Sequence, residues 1–122
     1  MKKSAFALIA VSVLVLAAAT SFRPATRAEG PKSIPDSVFA VFEKSCITCH
    51  SNDGSGMAKG KLNFDKWDSY SAEKMASKAG DIGKEIEKGA MPPSNFRKNN
   101  PDLVPTEADV AIVKAWAGSL KP

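Results

Sequence analysis

The chain has 122 residues, 43% of them hydrophobic and 25% charged, with a formal net charge of +4. That length has room for one modest domain. The positive balance gives no support to nucleic-acid binding, because Lys2, Lys3, Arg23 and Arg27 account for all of it; 17 basic residues less those four leave 13, against 13 acidic residues from Glu29 onward. The later lysines are interleaved with Asp and Glu, so no block of like charge remains.

The chain opens on a short basic head, Met1-Lys2-Lys3, followed by an apolar run from Ala5 to Ala19 broken only by Ser12. This order of basic head, apolar stretch and small residues is that of an export signal. The run is short of the roughly 18 to 20 apolar residues that a spanning helix needs. Cleavage sites with small residues at the right offsets follow Ala19, Ser21 and Ala28. Residues 1–28 are therefore expected to be a signal peptide with the start of a linker, 29–34 the rest of the linker, and 35–122 the folded domain. The expected location is periplasmic, with membrane contact only if the segment is retained as an anchor.

Pro35 suits a helix start. Val38, Phe39, Val41, Phe42 and Cys46 then recur at helical spacing, and this helix is expected to run into Cys46-Ile47-Thr48-Cys49-His50. Ser51 to Gly60, with three glycines, reads as a flexible turn region. Leu62, Phe64, Trp67 and Tyr70 follow without a clear period, in a loop with a short helical turn. Ser71 to Lys88 reads as helix in two pieces around Gly80 and Gly83, with Gly89 as C-terminal cap. Ala90-Met91-Pro92-Pro93 is extended, and Ser94 to Pro105 is polar loop. Thr106 is an N-cap for a last helix with Glu107 and Asp109 in its first turn. Its expected apolar stripe is Ile112, Ala115, Trp116 and Leu120. No alternating strand pattern of useful length occurs, so the domain is expected to be all-α.

The pattern Cys46-x-x-Cys49-His50 carries the chemistry. On a helical turn, residues three apart lie on one side, so two thiols can meet the two vinyl groups of one haem and form thioethers. His50, next in line, is then placed under the iron. The motif uses both cysteines and the single histidine of the chain. Structural zinc normally takes four protein ligands, and this set is incomplete. A thioredoxin-like dithiol expects a βαβ context, which is missing. A disulfide across two intervening residues fits helix geometry poorly.

A second histidine ligand from this chain is impossible, which leaves methionine for the sixth position. Met57 follows His50 too closely to cross the haem easily, and Met75 sits beside Ala72, Ala76 and Ala79, where packing is its expected role. Met91 comes 41 residues after His50, on a loop stiffened by Pro92 and Pro93, and is the expected sixth ligand. Trp67 and Tyr70 are candidate propionate contacts, with ordinary core packing as the competing role. Arg97 reads as a solvated loop residue rather than a propionate partner, and Trp116 as helix packing.

Three segments together resemble the monohaem c-type cytochromes and the similar haem-binding domains of exported bacterial proteins. They are Cys-Ile-Thr-Cys-His late in the first helix, Glu-Lys-Gly-Ala-Met-Pro-Pro, and Ala-Asp-Val-Ala-Ile-Val-Lys-Ala-Trp in the last helix. The resemblance covers Val38 to Leu120. It implies a small cytochrome c-like helical domain wrapped around one covalent haem c, in which the first and last helices cross. It also implies thioethers at Cys46 and Cys49 and axial ligands at His50 and Met91. Many such proteins have a proline shortly after the motif whose carbonyl orients the histidine. Here Asn52-Asp53-Gly54-Ser55-Gly56 stands in that place, so the acceptor for the imidazole N–H is not named by the pattern. The expected function is one-electron transfer with redox partner proteins, a carrier rather than a catalyst. The alternative is a sensor or enzyme for a diatomic gas or peroxide, which requires an open or labile sixth position.

Overall fold

The computed structural model describes residues 30–120, so the export segment expected at 1–28 lies outside the described residues. Within them all regular structure is helical. Helix α1 spans Asp36–Ser45, α2 Gly56–Lys61, α3 Ala72–Glu87, α4 Ser94–Asn99 and α5 Glu107–Ser119, with 3-10 turns at Phe64–Ser69 and Pro101–Leu103. Helix α5 packs against both α1 and α3, which sets the first and last helices together at the base of the domain. Among the described residues, no helix is long and apolar enough to cross a membrane.

α1 buries Val38, Phe39, Val41 and Phe42, the face read from its spacing. Its hydrogen-bonded body ends at Ser45 rather than continuing through the cysteine motif. The core is aromatic. Phe42 stacks on Phe64 at 4.6 Å between ring centroids and meets Trp116 edge-on at 5.6 Å. Trp67 lies 6.1 Å from Phe64 and 5.6 Å from Trp116. Ile34, read as the end of the linker, is buried in this cluster. The chain before it is tied down by Asp68, whose carboxylate accepts from the Lys32 and Ser33 amides.

Four local readings differ from the structure. The second half of the Gly-rich stretch is helical, because the Ser55 hydroxyl accepts from the Ala58 amide and starts α2. No residue of α2 is buried, so no apolar period signalled it. Helix α3 runs unbroken through Gly80 and Gly83. Gly83 is buried against α5, where an added Cβ would already touch the Ala117 Cβ at 3.9 Å. Packing of the two helices thus overrides the weak helix preference of glycine. The polar segment after Pro93 holds α4 and a 3-10 turn rather than open loop. The inward face of α5 is Val113 and Trp116, with Val110, Ala117 and Leu120 beside them. Ile112 and Ala115 point outward, because α5 is gripped from two sides by α1 and α3. Gly89 does end α3 in the left-handed region, with φ of 70°.

Thr106 and Asp109 form a reciprocal capping box: the Thr106 amide donates to the Asp109 carboxylate at 2.8 Å and the Asp109 amide to the Thr106 hydroxyl at 3.2 Å. The same carboxylate accepts from Lys44 at 2.6 Å, which joins α5 to α1. Partial burial works against the Asp109 charge, but the bonds from Lys44 and Thr106 outweigh it, and its carboxyl stays below its ordinary value. A lowered pKa in the folded state means that the contribution is full above the ordinary value of 3.8 and is lost as pH falls below it. Asp109→Asn should therefore flatten the acid limb of stability below about pH 4, read as thermal midpoint against pH. Phe42→Ala should cost about 3–5 kcal/mol, read by denaturant titration, since the side chain is fully buried among aromatic rings.

Candidate functional site

The end of α1 passes into a single tight turn. The Cys46 amide donates to the Phe42 carbonyl at 2.7 Å, and the Cys49 and His50 amides both donate to the Cys46 carbonyl, at 3.1 and 3.0 Å. Cys46, Cys49 and His50 are thereby neighbours on one side of that turn, as positions three and four apart are on a helix. Both cysteines are free thiols. Burial, and after it the nearby Cys49, pushes the Cys46 thiol up to about 12. It is a neutral thiol at ordinary pH, unlike the lowered thiol of a redox dithiol.

The chain reverses immediately after the motif. The Gly54 amide donates to the Ser51 carbonyl at 3.0 Å, and a Cβ at Gly54 would sit 2.0 Å from the Cys49 carbonyl oxygen. Only glycine permits that approach. The reversal is held by Asn63, which is buried. Its amide group donates to the Asn52 side chain at 2.9 Å while its own carbonyl oxygen caps the Asp65 amide at 3.0 Å. Asp65 in turn accepts from the Asn52 amide at 2.7 Å.

The reversal brings the C-terminal end of α2 under the histidine. His50 Nδ1 lies 3.0 Å from the Leu62 carbonyl oxygen and 3.1 Å from that of Ala58. Carbonyl oxygens only accept, so Nδ1 carries the proton and donates to both. Neutral imidazole then has its lone pair on Nε2. The acceptor that the sequence left unnamed is thus a pair of helix-end carbonyls, standing where related patterns use a proline carbonyl.

Two adjoining cavities open beside this turn, of about 390 and 280 Å³. Both are lined by Cys46, His50, Lys61 and Met91. The first is walled by Leu62, Phe64, Ile82 and Ile86, with Lys78, Asp81 and Glu85 along α3. The second is closed by Cys49, Ala58, Pro92 and Phe96. A larger hollow, about 850 Å³, lies elsewhere against Ile34, Phe39 and Ile47. It has no Cys, His or Met in its wall, so the chemistry points to the two smaller ones.

Met91 reaches the cavities from a pinned loop. Its amide and that of Ala90 donate to the Glu85 carbonyl at 3.2 and 2.9 Å. The Arg97 guanidinium, half-buried rather than solvated, donates to the Gly89 carbonyl. Met57 also lines the second cavity but is 80% exposed, and Met75 packs against the core. The structure therefore brings together Cys46, Cys49, His50 and Met91. Trp67 and Tyr70 line neither cavity. Trp67 is wholly buried behind Phe64 with its indole N–H unpartnered, and the Tyr70 hydroxyl lies 3.4 Å from the backbone of Asn63. Lys78, Gly54 and Asn63 are residues of the site that motif reading missed. Only Gly54, inside an Asn-Asp-Gly turn signal, had a local cue.

Among the described residues no group of three or more His, Cys, Asp or Glu side chains is placed to hold a metal ion. A family model described as a haem-binding domain matches residues 56–119, from the start of α2 to the end of α5. The cysteine turn lies just ahead of the matched range. No curated protein and no solved structure matches the chain. Gly54→Ala should destabilise the purified protein by about 1–3 kcal/mol in denaturant titration, since backbone rather than a flexible side chain must give way.

Proposed function

The chain belongs to the haem-binding domain family, and from that premise we propose that it is an exported monohaem c-type cytochrome that carries single electrons. The observation that carries this reading is the His50 ring, with its Nδ1–H shared by the Ala58 and Leu62 carbonyls and Nε2 left to bind iron. An imidazole whose other nitrogen donates to a backbone carbonyl is fixed in tautomer and orientation and is more basic as a ligand.

Haem bound here supplies an iron that gains or loses one electron. Cys46 and Cys49, on the same turn, would hold it through two thioethers, each the addition of a thiol S–H across a vinyl group with no net oxidation. A buried, protonated Cys46 suits that product, because a thioether is as neutral as the thiol it replaces. Met91 would supply a soft sulfur from a loop pinned by Glu85 and Arg97, and such a His/Met pair would raise the potential relative to other ligand sets. Ile82, Ile86, Leu62 and Phe64 exclude water from one face. The chain has one histidine; with His50 committed to the iron it would offer no second imidazole for peroxide chemistry, which favours a carrier over a catalyst. The partners are redox proteins of the compartment to which residues 1–28 direct the chain.

The second reading, a sensor or enzyme for a diatomic gas or peroxide, draws on the 40% exposure of Met91, which would let a labile ligand leave. Visible spectra of the protein matured with c-type haem separate the two. A low-spin reduced spectrum, a weak far-red methionine–iron band when oxidised and no response to carbon monoxide support the carrier. A high-spin spectrum with ready carbon monoxide binding overturns it in favour of the sensor. Met91→Ala should open the sixth position to carbon monoxide while the covalent haem stays in place. Cys46→Ala with Cys49→Ala should yield no haem that survives denaturing electrophoresis.

A further inference from the structure

We propose that Lys78 is a positioning residue for the iron-binding imidazole: its ammonium ties α3 to the C-terminal end of α2 and so holds the carbonyl pair that orients His50. This inference rests on the haem reading above and deepens it.

The need for such a tie follows from α2 itself. The helix has six residues, Gly-Met-Ala-Lys-Gly-Lys, and none of them is buried. A helix this short with two glycines has no stability of its own in water. It packs only lightly against the other helices. Yet Ala58 and Leu62, near and just past its end, supply both acceptors for His50. A loose α2 would leave the imidazole free to turn.

Its N-terminal end is held from within the same loop, by the Ser55 cap and by Lys59 donating to the Asn52 carbonyl at 2.9 Å. Its C-terminal end is held from outside that loop. Lys78 Nζ donates to the Lys61 carbonyl at 2.6 Å, across 17 positions of chain. The Lys61 carbonyl is one of the helix-end groups left without an intrahelical partner. A cation there is favoured by the helix dipole, and the bond is charge-assisted. Lys78 itself stands on a firm base, since α3 buries Ala79, Ile82 and Ile86 in the core. Lys61 lies between the two carbonyls that His50 uses, so one bond from a rigid helix restrains both.

The consequences for iron have opposite signs for position and for charge. Loss of the strap weakens the His50 N–H bonds, makes the imidazole a poorer donor and disfavours the ferric state. Loss of a nearby positive charge alone favours the ferric state. The test uses the full haem-loaded protein, with Lys78→Met to remove the donor and Lys78→Arg to retain donor and charge. The readouts are hydrogen exchange of the His50 Nδ1 proton by NMR in the reduced protein, and the reduced-to-oxidised ratio at a fixed applied potential.

Lys78→Met should speed the Nδ1 exchange about tenfold and raise the reduced-to-oxidised ratio, because the charge lost is solvent-exposed and screened while the hydrogen bond to the ring acts directly on the ligand. Lys78→Arg should restore both. Exchange at the parent rate in Lys78→Met, with haem in place, overturns the strap whatever the potential does. Haem staining of the parent after denaturing electrophoresis is done first. A parent without covalent haem overturns the functional reading itself, which separates that failure from failure of the strap.

Discussion

The imidazole of His50 has one proton and two nitrogens, and the fold commits the proton by placing two backbone carbonyls 3.0 and 3.1 Å from Nδ1. Everything around the site serves that placement. The chain must turn back within a few residues of His50 to bring α2 beneath it, which needs Gly54 against the Cys49 carbonyl. The turn must be stiff, which the buried Asn63 and its bonds to Asn52 and Asp65 provide. The acceptors must stay put, although the helix that carries them has no buried side chain. Packing forces hold α1, α3 and α5; directional bonds hold the ring.

This division of labour suits the proposed reading, in which haem would form part of the core. Phe42, Phe64, Trp67 and Trp116 form a continuous aromatic cluster on one side, and Phe64 forms part of the wall of the first cavity as well. Leu62, Ile82 and Ile86 complete that wall. In a domain this small, burial of a large apolar group adds a sizeable share of the driving force for folding, and binding free energy becomes folding free energy, as in small metal domains. The apolar walls are therefore both pocket and core. Lys78, Asp81 and Glu85 stand along the α3 edge of the same cavity, so the crevice has a charged rim over an apolar floor.

The family match and the cysteine turn bear on different parts of the chain. Residues 56–119 run from α2 to α5 and supply most of the lining of the two cavities, from α2, Leu62, Phe64, α3, the Met91 loop and Phe96 of α4. Cys46, Cys49 and His50 precede them, on the turn that follows α1. The two parts meet at the His50 hydrogen bonds, where the motif residue takes its acceptors from the first elements of the matched region.

Short-range chemistry was legible in the residues themselves. Cys46-x-x-Cys49-His50 pointed to haem, the cofactor of the family whose model matches the chain, because thiol spacing on one turn is a local property. Thr106 with Asp109, Gly89 after α3 and the face of α1 were likewise readable, since caps and helical period act over a few residues. What depended on distant partners was not. Gly80 and Gly83 read as breaks, yet α5 packing carries α3 through them. Ile112 and Ala115 read as inward, yet α1 and α3 grip the neighbouring face of α5. Trp67 and Tyr70 read as either core or cofactor contacts, and the fold buries Trp67 behind Phe64 and sets Tyr70 beside Trp67 and Asn63. The acceptors of the imidazole proton and the tie from Lys78 to Lys61 involve backbone carbonyls, which every residue has and no pattern of side chains can announce. Only the tertiary path of the chain decides which of them His50 meets.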